Sequence, residues 1–413
     1  MSTSGQASRE RSPVVDSVPN ELPAWLTGTP RSCLDPLGAA RALRPIIEAG
    51  AAEGARQGYI SEDVSRAIAS SGLWGLRLPR VFGGMEADPR TYIDVIEELS
   101  YADPSTGWAF MAASFAAGQA VNLGPSALEA IYRGDNGFIT AGQVSTLGRA
   151  QAVEGGYRVQ GDFHFGSGSQ FASWFLGAFA LFAGEQPVLD DLGQQTVIVC
   201  FTSRKNVRLK GNWDVMGLAA TGSVDFEFID QMIPLDFVLG VPGRPDQGGP
   251  THKIGVSIGH CAWALGAGKR ALDEIFRLAQ RKRRFKRATL IDQPVFQKQY
   301  GEHLATLQAA RALAITVFAD WFDAAKSGKP SLEVRAQARL ASAWATDVAL
   351  KVGQFAMFSA GSDGVRNNGG ENTIQRVYRD LQVGATHRHV DGNILIEASQ
   401  VALRVADPTM VDL

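Results

Sequence analysis

Two short stretches hold most of the residues whose types and spacing could do chemistry. The first, Gly161-Asp-Phe-His-Phe-Gly-Ser-Gly-Ser169, runs an alternating strand pattern into a cluster of glycines and serines. Glycine there lets the backbone approach a flat ligand closely, and the hydroxyls of Ser167 and Ser169 can hydrogen-bond its edge. Strict alternation would place Phe163 and Phe165 on one face with His164 opposite. A strand that merely ends in a turn over buried phenylalanines fits the same letters. The second stretch, His387-Arg-His389, sets two imidazoles two residues apart. With a reference pKa of about 6.5, either ring can give or take a proton near neutrality. As a metal site the pair has no third and fourth ligand nearby; as a cap, a ring here would meet the last carbonyls of the preceding helix.

Other signals point less clearly. The run Arg281-Lys-Arg-Arg-Phe-Lys-Arg287 closes a helical stretch and suits either a solvated helix end or the phosphates of an anionic small ligand. Leu265-Gly-Ala-Gly-Lys269 has glycines and a lysine in a phosphate-loop-like order. Trp263, however, stands where the first glycine belongs, Arg270 replaces the Ser/Thr, and the pattern around it is helical. No GxGxxG follows a strand, so no nicotinamide-binding domain is expected. Cys33, Cys200 and Cys261 are far apart and form no CxxC, which supports neither a disulfide framework nor zinc. The opening residues lack the apolar core of a secretory signal and no apolar run reaches membrane-spanning length, so a cytoplasmic location is expected.

These groups need a scaffold, and the composition supplies one. The 413 residues are 45% hydrophobic and 20% charged, enough apolar material for two to three domains. Forty Lys+Arg against 42 Asp+Glu leave a net charge of −2, which gives no global drive toward nucleic acid or an anionic membrane. Residues 1–32 are rich in Ser, Pro, Gly and Arg without periodicity and read as a mobile arm. From 33 to 136 the period is helical: Ala40, Leu43, Ile46, Ile47 and Ala51 mark one buried face, and Ser61 before Glu62-Asp63 reads as a helix N-cap. Between 137 and 245 the period becomes two, as in Tyr157-Arg-Val-Gln-Gly-Asp-Phe-His-Phe, which predicts a small antiparallel barrel or sandwich. From 246 to 413 the helical period returns, with long helices expected over 255–281, 294–326 and 331–359 and shorter ones after residue 372.

The α–β–α order, the Tyr157-to-Ser169 stretch and Arg376-Val-Tyr-Arg-Asp380 together resemble the acyl-CoA dehydrogenase superfamily, over roughly residues 36 to 405. Ala102-Asp-Pro-Ser-Thr-Gly-Trp108, Gly217-Leu-Ala-Ala-Thr-Gly-Ser-Val-Asp-Phe226, Arg284-Phe and Gln297-Lys-Gln299 support it. The resemblance implies an α+β fold: an N-terminal all-α domain, a middle antiparallel β domain and a C-terminal bundle of long helices. Its dehydrogenase branch needs a carboxylate to abstract the substrate α-proton. One common place for that base corresponds here to Gly384-Ala-Thr-His-Arg-His-Val-Asp391, which has no glutamate, and the other falls near Val256.

The sequence resembles more closely the branch of oxygenase components of two-component flavin-dependent monooxygenases. That branch carries a histidine eight residues after the arginine of the Arg-Asp pair, as His387 follows Arg379-Asp380 here. Its Ser-Gly-Ser matches residues 167–169, and its tryptophan matches Trp108. What this implies is hydroxylation of an aromatic or polycyclic small molecule by O2 and reduced flavin (FADH2 or FMNH2), through a flavin hydroperoxide. A separate reductase would supply the flavin, and the enzyme would be a homotetramer. Catalytic roles fall on His387, with His389 as the alternative in a shifted register, and on Ser167 as acceptor from flavin N5–H. Phe165, Ser167, Ser169, Trp108, Arg284 and Arg379 would bind the cofactor. Phenol hydroxylases of this type place another histidine soon after the tryptophan, where this chain has Ser114, Phe115 and Gln119, which argues against a phenolic substrate. An acyl-CoA dehydrogenase-type enzyme and a non-catalytic protein on the same fold are the alternatives.

Overall fold

In a computed structural model, the described residues are 22–26, 28–283 and 286–406. Most of the 1–32 arm and Arg284 therefore lie outside them. The chain begins with helices α1 (Pro36–Gln57), α2 (Glu62–Ser70), α3 (Pro89–Ala102), α4 (Pro104–Gln119) and the short α5 (Pro125–Leu128). Their starts follow from side-chain caps with proline in the first turn: Asp35 accepts from Gly38 N–H, Asp88 from Arg90 and Thr91, and Asp103 from Thr106. Ser61 does stand at the N-cap of α2, but its side chain makes no capping bond.

Seven strands follow among the described residues: β1 (Thr140–Val153), β2 (Gly156–Phe163), β3 (Trp174–Ala183), β4 (Gln186–Pro187), β5 (Val197–Ser203), β6 (Val207–Leu209) and β7 (Phe226–Pro234). They form one sheet in the order β4-β3-β1-β2-β7-β6, with β5 also paired to β3. The sheet is mixed, which corrects the expectation of an antiparallel β domain. β1 and β2 form an antiparallel hairpin, but residues 164–173 then carry the chain across the start of β1, so β3 pairs with β1 in parallel, Thr140 opposite Trp174. Phe163, Phe175, Phe179, Phe226 and Phe228 fill the sheet's own core, with the rings of Phe163 and Phe226 stacked 5.2 Å apart. The crossover segment holds Ser167, so the topology of the sheet delivers the site loop.

The last part is helical: the short α6 (Gly249–His252), α7 (Ser257–Ala279), α8 (Pro294–Ser327), α9 (Leu332–Ala360), the short α10 (Ser362–Val365), α11 (Thr373–Gly384) and α12 (Gly392–Ala402). α7 is the central member and packs against α3, α9 and α11. The phosphate-loop-like glycines belong to that packing. A Cβ at Gly266 would lie 2.2 Å from the Glu97 carbonyl oxygen on α3, and one at Gly268 would lie 3.1 Å from Ala349 on α9. Among the described residues, no helix is long and apolar enough to cross a membrane.

Candidate active site

Strand β2 ends at Phe163, and this end resets the faces of the residues after it. Phe163 is fully buried in the sheet core, whereas Phe165 turns into a left-handed conformation (φ +61°) and is 63% exposed. The two rings do not share a face, because alternation stops where the ladder stops. A left-handed phenylalanine is strained, and such strain gathers at functional loops. The Phe165 ring is left open to a ligand, with Trp213 edge-on 6.1 Å away.

The loop then presses on α4. Gly168 has φ +79°, and a Cβ there would lie 2.9 Å from the Ala113 Cβ, so only glycine allows this approach. Close approach brings Ser167 to Trp108, one and a half turns earlier on α4, whose indole Nε1–H donates to Ser167 Oγ at 3.2 Å. Ser167 Oγ also lies 2.8 Å from Ser223 Oγ, which is 2.7 Å from Thr221 Oγ1. Ser169 does not face the site: it is fully buried, and its hydroxyl donates to the Gly166 carbonyl. The Ser169 hydroxyl is thus engaged in shaping the loop.

The Arg379-Asp380 pair reaches this loop system from α11. A Cβ at Gly217 would lie 2.2 Å from the Arg379 carbonyl oxygen, and the neighbouring Leu218 N–H donates to Asp380 Oδ1 at 2.5 Å. Arg379 thus meets the 217–218 turn through its backbone, while its buried Nε finds no hydrogen-bond partner. Burial, reinforced by nearby Asp103, pushes the Asp380 carboxyl up to about 7.

The turn after α11 brings His387 to the tryptophan, with His389 beside it. The His387 ring is 5.4 Å from Trp108, edge-on, and 4.3 Å from His260 on α7; His389 is 5.3 Å from His387. Trp263 completes the cluster, 4.9 Å from Trp108. Neither ring serves as a helix cap, because backbone N–H groups of residues 385–387 meet the last carbonyls of α11. Both residues are half-buried. Burial draws His387 down to about 4 and His389 to about 3, and holds His260 well below the ordinary histidine value. The imidazoles are therefore neutral near pH 7. His387 Nδ1 accepts from the His389 backbone N–H at 3.3 Å, which leaves the proton on Nε2 and makes that edge a donor.

Acidic groups near the cluster are engaged elsewhere. Asp391 caps α12 by accepting from Asn393 N–H, and Asp380 is tied to Leu218. Among the described residues, no group of three His, Cys, Asp or Glu is placed to hold a metal ion. Arg281, Lys282 and Arg283 line a separate open cleft of about 760 Å³ with Arg277 and Arg366, and Lys282 pairs with Asp363 there. Five cations face three carboxylates there, Glu274, Asp363 and Glu371.

Sequence reasoning missed four site residues, one of them Trp263, which entered it only as a mismatch to a phosphate loop. His260 sits in the small-residue run Ser257-Ile-Gly-His-Cys-Ala262, where a lone polar ring on a buried helix face is its only signal. Thr221 and Ser223 lie within a motif already singled out, but the sequence gives no sign that the Ser223 hydroxyl meets Ser167 from more than 50 residues away, with Thr221 behind it.

The chain matches two domain models of one family: acyl-CoA dehydrogenase, N-terminal domain, over residues 39–132, and acyl-CoA dehydrogenase, C-terminal domain, over residues 258–392. It is 29% identical over 342 residues to the indole-3-acetate monooxygenase of Pseudomonas putida, covering 80% of this chain and 84% of that protein. Identity is 26% over 362 residues to the flavin-dependent monooxygenase oxygenase subunit HsaA of Rhodococcus jostii, covering 84% and 92%. Among solved structures, XiaF from Streptomyces sp., in complex with FADH2 and glycerol, superposes with a TM-score of 0.81 at 21% identity, covering 92% of this chain and 97% of that one. At that identity the likeness is one of fold.

Proposed function

The chain belongs to the acyl-CoA dehydrogenase superfamily, and within it we propose the oxygenase component of a two-component flavin-dependent monooxygenase acting on an aromatic or polycyclic small molecule. The observation that carries this reading is the ring cluster beside Ser167. It holds three neutral imidazoles and two indoles, with no carboxylate among them to abstract an α-proton. The names of the relatives, an indole-3-acetate monooxygenase and an oxygenase subunit, support the same class.

The residues present fit a reduced flavin. Ser167 keeps one acceptor lone pair after taking the Trp108 N–H, which suits the N5–H edge of the reduced ring. Phe165 offers an open apolar face for the isoalloxazine, and Trp108 fixes Ser167. The basic cleft near Arg281, with Arg284 in the same run, begins about 25 Å along α7 from His260, so it suits the distal phosphate of a flavin held by a neighbouring copy. Bound reduced flavin supplies the two electrons that let one atom of O2 enter the substrate while the other leaves as water. Around it, Trp108, Trp263 and the neutral imidazoles exclude bulk water, which strengthens each hydrogen bond in the site. His387 Nε2–H donates toward the substrate or the transferred oxygen, and His389 holds the tautomer through its backbone N–H.

A separate reductase delivers the flavin, a reading supported by the name of one relative, an oxygenase subunit. Large apolar side chains such as Phe358 (68% exposed) and Ile396 (58%) on the C-terminal helices suit burial between copies in a homotetramer. The cytoplasm, where reductases of this type draw on nicotinamide pools, is the location that fits. Anaerobic titration tests the class: acyl-CoA thioesters should leave protein-bound oxidised flavin unreduced. Rapid bleaching of the flavin by an acyl-CoA would assign a dehydrogenase instead.

A further inference from the structure

We infer that Thr221 and Ser223 set which redox state of flavin the site accepts, by fixing the direction in which the Ser167 hydroxyl gives its proton. The inference deepens the flavin reading above and rests on it.

Each hydroxyl has one proton to give. Thr221 Oγ1 donates to the Leu218 carbonyl at 2.8 Å, and a carbonyl can only accept, so the Thr221 proton is committed there. The 2.7 Å contact between Thr221 and Ser223 must then use the Ser223 proton, and the 2.8 Å contact between Ser223 and Ser167 must use the Ser167 proton. At the other end the Trp108 indole, a donor only, points its Nε1–H at Ser167 Oγ. Thr221 and Ser223 are 0% and 2% exposed, so no bulk water relieves the order.

The terminal carbonyl is itself fixed. Trp213 Nε1 donates to the Leu218 and Ala219 carbonyls at 3.3 and 3.0 Å, and the Leu218 N–H is held by Asp380. Left-handed backbone at Leu218 (φ +54°) and Gly222 (φ +55°) bends the 218–223 segment so that its two hydroxyls line up behind Ser167. Ser167 therefore turns a lone pair, and never a proton, toward the site. Reduced flavin carries hydrogen on N5 and meets that lone pair as a donor. Oxidised flavin has a bare N5 lone pair and meets it as a repulsion. Because the row of hydroxyls ends on a carbonyl, it also offers the N5 proton no route away. Thr221 and Ser223 are positioning residues: they touch neither substrate nor the reacting atoms and act through Ser167.

Binding of oxidised FAD and of photoreduced FAD to the full chain, measured separately under anaerobic conditions, tests this, with FMN in parallel. The unmodified protein should bind the reduced form more tightly. Ser223→Ala frees the Ser167 proton directly, and Thr221→Val frees it through Ser223. Each should narrow the preference for reduced over oxidised flavin roughly tenfold, the scale of one hydrogen bond. A tenfold loss lowers the two-electron midpoint potential of bound flavin by about 30 mV. Thr221→Ser keeps the hydroxyl and should keep the preference. Unchanged preference in both Ser223→Ala and Thr221→Val overturns the inference and leaves the flavin reading intact. Loss of preference in Thr221→Ser to the level of Thr221→Val assigns the effect to packing and also overturns it. Equal binding of the two redox states by the unmodified protein does the same, and failure to bind either state overturns both this inference and the flavin reading.

Discussion

Replacing His387 by alanine separates catalysis from structure because the two effects differ in size. Structurally, the ring contributes one weak hydrogen bond, from His389 N–H at 3.3 Å, and packing against His260 with centroids 4.3 Å apart. Together these amount to about 1–2 kcal/mol, a few degrees in melting temperature for a chain of this size. If Nε2–H is the donor at the reacting atoms, its loss removes one placed hydrogen-bond donor, whose usual contribution is about 10²–10³ in rate, or roughly 2.7–4 kcal/mol of barrier. The catalytic effect therefore exceeds the structural one. In the assay, protein is premixed anaerobically with reduced flavin, then exposed to O2 and an aromatic substrate, and product and hydrogen peroxide are counted. His387→Ala should lose nearly all product and release peroxide, with its circular dichroism and flavin binding close to those of the unmodified protein. His387→Gln, which can present an amide N–H near the Nε2 position, should recover part of the yield. His389→Ala is the register control and should fall much less. A His387→Ala protein that hydroxylates normally refutes the donor role, and a normal His387→Ala beside a dead His389→Ala transfers it to His389.

Ser167→Ala should weaken binding of reduced flavin by roughly threefold to tenfold, one hydrogen bond's worth, measured by anaerobic fluorescence titration; unchanged affinity would return Ser167 to a turn residue. Gly217→Ala forces a Cβ to within 2.2 Å of the Arg379 carbonyl, so the turn or α11 must shift, and a stability loss of about 1–3 kcal/mol should appear in denaturant unfolding. Acid should destabilise the protein: His260, His387 and His389 titrate lower folded than unfolded. Their stability is thus complete above about pH 6.5 and falls on acidification toward pH 4, by about 1.4 kcal/mol per pH unit per histidine. Asp380, raised to about 7, works in the opposite sense. Its contribution is full below about pH 4 and is lost as pH rises through 7, so it offsets roughly one histidine's share. Melting temperature should then drop between pH 7 and 5, and more steeply in Asp380→Asn.

The sequence was most informative where periodicity is local. The long helices expected over 294–326 and 331–359 appear as Pro294–Ser327 and Leu332–Ala360, because an apolar stripe over many turns fixes an element almost regardless of its neighbours. The Gly/Ser cluster after β2 marked the site loop for a similar reason: a run of alternating residues that breaks into glycines must turn. Pairing direction is not local. Nothing in residues 164–173 states that they cross β1, so β3 was not seen to run parallel to it. The face of Phe165 failed because alternation holds only inside the ladder, and the ladder stops at Phe163. Charge state was hidden too. His387 carries its ordinary pKa in any reading of sequence, and only burial beside His260 and Trp108 shows it to be neutral. The row of hydroxyls behind Ser167 depends on contacts across more than 50 residues, each of which could have been made by another partner.

The origin of the oxygen atom decides between an oxygenase and every other chemistry this fold supports. Protein loaded anaerobically with reduced flavin should be mixed with ¹⁸O2 and a bicyclic aromatic such as indole or a substituted indole, and the products weighed by mass spectrometry. One ¹⁸O atom per product molecule, with no NADH or NADPH consumed by this chain alone, is the expected result. Across a panel of such aromatics, flavin that reoxidises wholly to peroxide with no labelled product, or product oxygen that comes from water, would contradict a monooxygenase.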